Sequence, residues 1–243
     1  MAKLGITRSA VELAQMMHQS APPGIRIIPL ELTQTNPLLF ELPVEEYLRG
    51  LDWALFTSAR GVRAFLRRLE DSDVTLAKKT KIAVVGEKTA LALSQFGLSA
   101  AFTPQEISSE GLFREFLLAY ENISAVALYI SANKPNFNPE TLFASSSINL
   151  SRLPVYETIP ANCPPSSGTD FGQDDYILFT APSTVSAYQS FFGAPRAAAI
   201  TLGKTTAMKI SEQGWPAPII MAKPDINTVF AYLEQPQEQR RRI

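Results

Sequence analysis

A long internal duplication limits what this chain can fold into more than any single motif does. Asp52-Trp53-Ala54-Leu55-Phe56-Thr57-Ser58-Ala59-Arg60-Gly61-Val62 aligns without gaps on Asp175-Tyr176-Ile177-Leu178-Phe179-Thr180-Ala181-Pro182-Ser183-Thr184-Val185. Gly86-Glu87-Lys88-Thr89-Ala90, closed by Gly97, aligns on Gly203-Lys204-Thr205-Thr206-Ala207, closed by Gly214. The blocks recur at spacings of 123 and 117 residues, far beyond the ~20–50 residues of a solenoid repeat. A fainter match sets Leu4 to Arg8 and Ile27 to Thr33 against Ala127 to Ser131 and Arg152 to Thr158. The chain thus reads as two similar halves in which short apolar strands alternate with helices, the pattern of a parallel sheet covered on both faces.

Local signals agree. Ser9 and Glu12 have capping-box spacing ahead of an amphipathic helix running to about Met17, and Pro22-Pro23-Gly24 stops it. Ala54-Leu55-Phe56 runs through Thr57-Ser58 into a helical pattern of Val62, Phe65, Leu66 and Leu69, which makes Ser58 an N-cap. Ile82 to Val85 is a buried-strand run turned by Gly86, followed by a helix from Thr89 to Phe96 that Gly97 ends. Each half therefore has two strand-turn-helix junctions, where unpaired backbone N–H groups gather at the carboxyl end of a strand, the usual ligand edge of an open α/β sheet.

Composition narrows the chemistry. The 243 residues carry 22 Lys+Arg against 23 Asp+Glu, so no broad basic face for nucleic acid is expected. One His (His18) and one Cys (Cys163) leave no CxxC or His-rich metal centre, no intrachain disulfide framework and one candidate base for a nucleophilic triad. No apolar run approaches the ~20 residues of a membrane span, and the N-terminus has no secretory pattern. A cytoplasmic protein is expected. The closing Arg240-Arg241-Arg242 reads as a frayed tail.

The paired Phe-Thr-Ser-x and Val-Gly-x-x-Thr-Ala-x-x-Leu-x-x-x-Gly motifs, with a Pro-Val-Tyr-x-Thr segment between the sets, resemble the uroporphyrinogen-III synthase family from Lys3 to Leu233. The resemblance implies two α/β domains, each a parallel sheet flanked by helices, joined by a two-stranded linker with the active-site cleft between them. It places residues 1–31 with 161–243 in one discontinuous domain, 37–154 in an inserted domain, and 32–36 and 155–160 in the linker strands. It further implies a monomer that cyclises the linear tetrapyrrole hydroxymethylbilane to uroporphyrinogen III without metal or organic cofactor. Water is lost, and ring D is inverted through a spiro intermediate. Because the substrate closes spontaneously to the uninverted isomer, such a protein mainly supplies acid assistance and control of geometry.

On that resemblance Tyr156 is the catalytic candidate, an un-ionised phenol able to donate to the departing hydroxyl. Thr57, Ser58, Thr89, Thr180, Ser183, Thr205 and Thr206 stand at helix starts suited to the substrate's carboxylates, and Arg8 matches a Thr-Arg near the start of many family members. Ordinary helix capping is the plainer explanation for each hydroxyl, and hinge-strand packing for Tyr156. Two positions depart from the family pattern. Ala181 replaces a Ser, leaving Pro182 to open the helix. Ala132 replaces a Gly, so the loop there is expected to take a different path because Ala tolerates positive φ poorly. Lys88, Lys134 and Lys204 are further candidate cations, whereas Arg63, Arg67 and Arg68 fall on a polar helix face. Structural roles are expected for His18 and Cys163. A competing reading is a non-catalytic two-lobed binder of an anionic small molecule, which needs no Tyr156. A nucleotide enzyme lacks support from any GxGxxG or GxxxxGK[ST] loop.

Overall fold

The structure is a computed structural model that describes residues 1–16, 21–223 and 225–236. His18 and the Arg240-Arg241-Arg242 run lie outside the described residues. In chain order the elements are β1 (Ala2–Ile6), α1 (Ala10–Met16), β2 (Ile25–Pro29), β3 (Thr33–Pro37), α2 (Glu45–Gly50), β4 (Trp53–Phe56), α3 (Ala59–Asp71), β5 (Lys81–Val84), α4 (Glu87–Ser94), α5 (Ser109–Tyr120) and β6 (Ala125–Ala132). They continue with α6 (Glu140–Phe143), β7 (Ile148–Pro160), β8 (Tyr176–Phe179), α7 (Pro182–Phe192), β9 (Ala198–Thr201), α8 (Lys204–Glu212), β10 (Ile219–Ile220) and α9 (Ile226–Glu234). Two compact units result, residues 1–34 with 159–243 and residues 35–158.

Both units are built on five-stranded sheets, ordered β10-β9-β8-β1-β2 and β3-β7-β6-β4-β5. The runs β9-β8-β1-β2 and β5-β4-β6-β7 are the same arrangement, with parallel pairing throughout each. In this scheme β1 and β2 correspond to β6 and β7, which is the fainter sequence match. Phe102, bridged parallel to Ala83 of β5, stands where the short β10 pairs with β9. The chain passes between the units on β3 and β7, neighbours in the second sheet.

The first residue of the duplicated block does the same job in both units. Asp52 accepts a hydrogen bond from the backbone N–H of Val126 at 3.0 Å, tying β4 to β6. Asp175 accepts from the N–H of Lys3 at 2.7 Å, tying β8 to β1. The Val126 N–H, the Asp52 partner with the greatest effect, and Lys79 hold the Asp52 carboxyl below its ordinary range, against a smaller opposing effect of burial. Gly97 and Gly214 close corresponding helices with φ of +70° each. Leu98 N–H then reaches back to Leu93 O at 3.2 Å and Trp215 N–H to Ile210 O at 3.4 Å, a glycine-dependent helix stop.

Alternation along β4 sends Ala54 and Phe56 to a core shared with Val62, Phe65 and Leu66 of α3, and Trp53 and Leu55 to a second core with Phe113 and Phe116 of α5. Each fully buried side chain of this size contributes about 1.5–3 kcal/mol. Both faces of the sheet are thus covered, as the near-continuous apolar strand required. Among the described residues no helix is long and apolar enough to cross a membrane. No group of three or more His, Cys, Asp or Glu there could hold a metal ion.

Candidate functional site

The turn after β4 gathers four hydroxyl-bearing side chains. Strand alternation continues past Phe56, so Thr57 and Ser58 leave on opposite faces of the sheet, and each meets a tyrosine, one from the adjacent β6 and one from β7 beyond it. Thr57 Oγ1 lies 3.2 Å from Tyr129 Oη of β6. Ser58 Oγ lies 2.9 Å from Tyr156 Oη of β7. Ser58 also caps α3, accepting the Gly61 N–H at 3.0 Å. Gly61 suits that contact because a Cβ there would stand 3.3 Å from Ser58 Oγ.

Tyr156 reaches this turn because β7 does not follow a regular register. Pro154 pairs with Ser131 but Tyr156 pairs with Ala132, so Val155 is an extra residue. Such a bulge re-aims the side chains beyond it, and Val155 and Tyr156 consequently face the same core. Asn133 N–H donates to Tyr156 O at 2.7 Å and fixes the strand just past the irregularity. Ala132 is the last residue of β6 and needs no left-handed backbone: Asp73 is the non-glycine residue with positive φ among the described residues.

Burial is the main reason the Tyr129 phenol is pushed up to about 12, with the Thr57 hydrogen bond opposing it. Tyr129 is 1% exposed and its ring meets Phe113 edge-on at 4.8 Å. The sequence did not mark Tyr129 as functional, since it sits within an apolar strand run that reads as core.

The equivalent turn after β8 is wired differently. Ala181 is the N-cap of α7, with no side-chain capping bond, and Pro182 opens the helix. Thr180 N–H donates to Thr7 Oγ1 at 2.9 Å, and Thr180 Oγ1 donates back to Thr7 O at 3.0 Å. Thr184 Oγ1 gives its hydrogen to Ala181 O at 2.8 Å and accepts from Thr7 Oγ1 at 3.1 Å. Thr7 and Thr184 are 3% exposed each and were not singled out by sequence, because their roles depend on pairing across more than 170 residues.

The two glycine turns also match each other. Gly86 and Gly203 are the N-caps of α4 and α8, extended, with no side chain capping either helix. The first-turn N–H groups are therefore not covered by a side-chain oxygen of the cap residue, a ready environment for an anion. Thr89 and Thr206 are buried, at 3% and 6% exposure, and Thr205 is the exposed hydroxyl of the α8 start. Ser183 is half-buried in the first turn of α7. Arg8, just past β1, lies 3.5 Å from Glu12, within the α1 start where Ser9 Oγ accepts the Glu12 N–H at 3.2 Å. Lys88, Lys134 and Lys204 are exposed, as is Cys163.

These turns belong to a known architecture. The model of the family described as uroporphyrinogen-III synthase HemD matches residues 15–231. The chain belongs to the uroporphyrinogen-III synthase family. A uroporphyrinogen-III synthase of Synechococcus elongatus is 32% identical over 118 residues, 45% of this chain and 43% of that protein. The porphyrin biosynthesis protein HemD of Ruminiclostridium josui is 28% identical over 151 residues, 59% of this chain and 29% of that protein. The chain thus spans less than half the length of these curated relatives. In fold it is similar to uroporphyrinogen-III synthetase from Helicobacter pylori 26695, with a TM-score of 0.67, 20% identity, and coverage of 96% and 98% of the two chains. A mutant synthase from the extremely thermophilic bacterium Thermus thermophilus gives 0.59, 19%, and coverage of 90% and 92%. At these identities the structural likeness speaks to the family fold alone.

Proposed function

We propose that this chain is a uroporphyrinogen-III synthase, a cofactor-independent lyase that acts as a cytoplasmic monomer on hydroxymethylbilane. The observation that carries the reading is the Ser58–Tyr156 pair at the carboxyl edge of β4, 2.9 Å between oxygens. Ser58 Oγ already accepts the Gly61 N–H, so its single hydrogen is available to Tyr156 Oη, and the phenol proton is then free for a ligand. Tyr156 gives that proton to the hydroxyl on ring A, the C–O bond breaks, and departing water leaves an electron-poor azafulvenium cation beside the phenolate. Ring D attacks through its substituted position, the spiro intermediate fragments, and closure at the other position inverts the ring. The proton released as ring D regains its aromaticity restores the phenol, so the net change is loss of one water.

Thr57, Thr89, Ser183, Thr205 and Thr206, with Arg8, are the proposed contacts to acetate and propionate groups; Ser58 and Thr180, whose hydroxyl hydrogens go to Tyr156 and to Thr7 O, shape the two turns instead of donating to the ligand. Helix N-termini supply favourable partial charge for these anions, which fits a chain of formal net charge −1 that must still hold a polyanion. The test is to supply enzymatically made hydroxymethylbilane and resolve the macrocycle isomers. Mainly the inverted isomer, formed faster than spontaneous closure, is expected. The uninverted isomer at the uncatalysed rate would overturn the synthase reading in favour of a binder.

A further inference from the structure

Tyr129 draws its role from its surroundings. We infer that Tyr129 is a positioning residue whose phenol O–H donates to Thr57 Oγ1, so that the Thr57 hydrogen is left pointing to an acceptor on the ligand. The inference rests on the reading of Thr57 as a carboxylate contact and adds what makes that contact selective.

The direction of the 3.2 Å hydrogen bond follows from burial. A hydroxyl pair this close has two possible arrangements, and they leave different hydrogens without a partner. If Thr57 donated, the phenol hydrogen would need another acceptor, and Thr57 Oγ1 is the hydrogen-bond partner of the phenol among the described residues. Tyr129 is 1% exposed, with the Phe113 ring against it, so water does not serve either. Stranding a buried donor is costly, whereas a donor that can reach solvent is not. Thr57 is only half-buried. Donation from Tyr129 therefore satisfies both groups. Burial also keeps the phenol protonated well past neutral pH, at about 12, so the donor is not lost over the working range.

The consequence is a threonine with a fixed sense. Thr57 Oγ1 has one lone pair occupied from below and offers its hydrogen outward, so a carboxylate or carbonyl oxygen is favoured there over an ammonium or amide N–H. Ser58, on the other face of the sheet, has the opposite sense: it gives its hydrogen to Tyr156 Oη, so one turn pairs a hydroxyl that receives a phenol proton with one that leaves a phenol proton free.

A double-mutant cycle tests this, read both by steady-state kinetics and by fluorescence titration with uroporphyrin, an octacarboxylate macrocycle. Tyr129→Phe keeps the ring and its contact with Phe113. We expect a three- to tenfold rise in KM and in the uroporphyrin Kd, with kcat within twofold of the parent. Thr57→Val should weaken both at least as much, Thr57→Ser should restore them, and adding Tyr129→Phe to Thr57→Val should change nothing further. Losses that add in the double variant would mean Tyr129 acts elsewhere and would overturn the inference, as would a Tyr129→Phe variant with unchanged KM and Kd. A Thr57→Val variant with parental affinity would instead remove the carboxylate contact itself, and the inference with it. The titration does not depend on turnover, so a chain without synthase activity that still shows the coupling would retain the Tyr129 role while losing the proposed reaction.

Discussion

The turn after β4 and the turn after β8 begin with the same Phe-Thr dipeptide and diverge within two residues. In the first, Ser58 caps α3 and both hydroxyls meet phenols, Tyr129 and Tyr156. In the second, Ala181 offers no cap, and the Thr180 hydroxyl is absorbed into a network of Thr7 and Thr184 that ends on backbone carbonyls. A shared backbone turn thus carries two different tasks. The β4 turn holds weakly acidic protons ready at its edge, while the β8 turn spends its hydroxyl hydrogens on keeping β1, β8 and α7 together.

The sharpest way to break that contrast is kinetic. Tyr156→Phe should lower kcat by about 10²–10⁴-fold, the usual worth of a general acid, with thermal stability near the parent. Thr180→Val should act mainly on KM, and comparable kcat losses in the two variants would remove the division of labour. Second, Thr184→Val removes the hydroxyl that donates to Ala181 O, while the Thr7 hydrogen keeps Leu178 O as its acceptor, and should cost about 0.5–1.5 kcal/mol in urea unfolding. A near-zero change would show that the β8 network is incidental.

Exchanging the caps gives effects of opposite sign. Ser58→Ala should cost ~1 kcal/mol, and Ala181→Ser should gain up to ~1 kcal/mol by supplying the missing acceptor. Differential scanning calorimetry on each variant measures both. The smallest effect concerns the bases of the strands. The Asp52 carboxyl is lowered below its ordinary 3.8, chiefly by the Val126 N–H, so its contribution to stability is present above that value and is lost as pH falls through the folded-state value. Asp52→Asn should therefore be less stable than the parent near neutral pH, with the gap closing in acid. A gap that persists at about pH 2 would refute this linkage.

The parts of the fold legible in sequence are those fixed by neighbours in the chain. The Ser9–Glu12 capping box, the Ser58 cap and the glycine stops at Gly97 and Gly214 all act within a few residues, and they appear where their spacing places them. The equivalence of β1 and β2 to β6 and β7 was readable because the strand runs repeat. Tyr129 was not readable, since a tyrosine in an apolar strand looks like core until its partner beyond β4 is known. Nor was the offset at Val155, because register between parallel strands is set by the whole sheet and not by either segment. Ala132, where the family pattern has a glycine, ends β6 in extended backbone without positive φ.

The pairing of β1 with β8 has a consequence for synthesis. Residues 35–158 form one uninterrupted unit, whereas the N-terminal strand must wait for partners 172 positions later. At ~5–20 residues per second on a ribosome, that interval is roughly 10–30 s. The inserted unit can complete its sheet while Ala2–Ile6 and Ile25–Pro29 remain without their central strand, exposing two apolar β segments to anything nearby. A nascent chain stalled before Tyr176 would therefore present one complete sheet and a β1–β2 pair whose β8 edge is open, a template for edge-to-edge association until the later strands emerge.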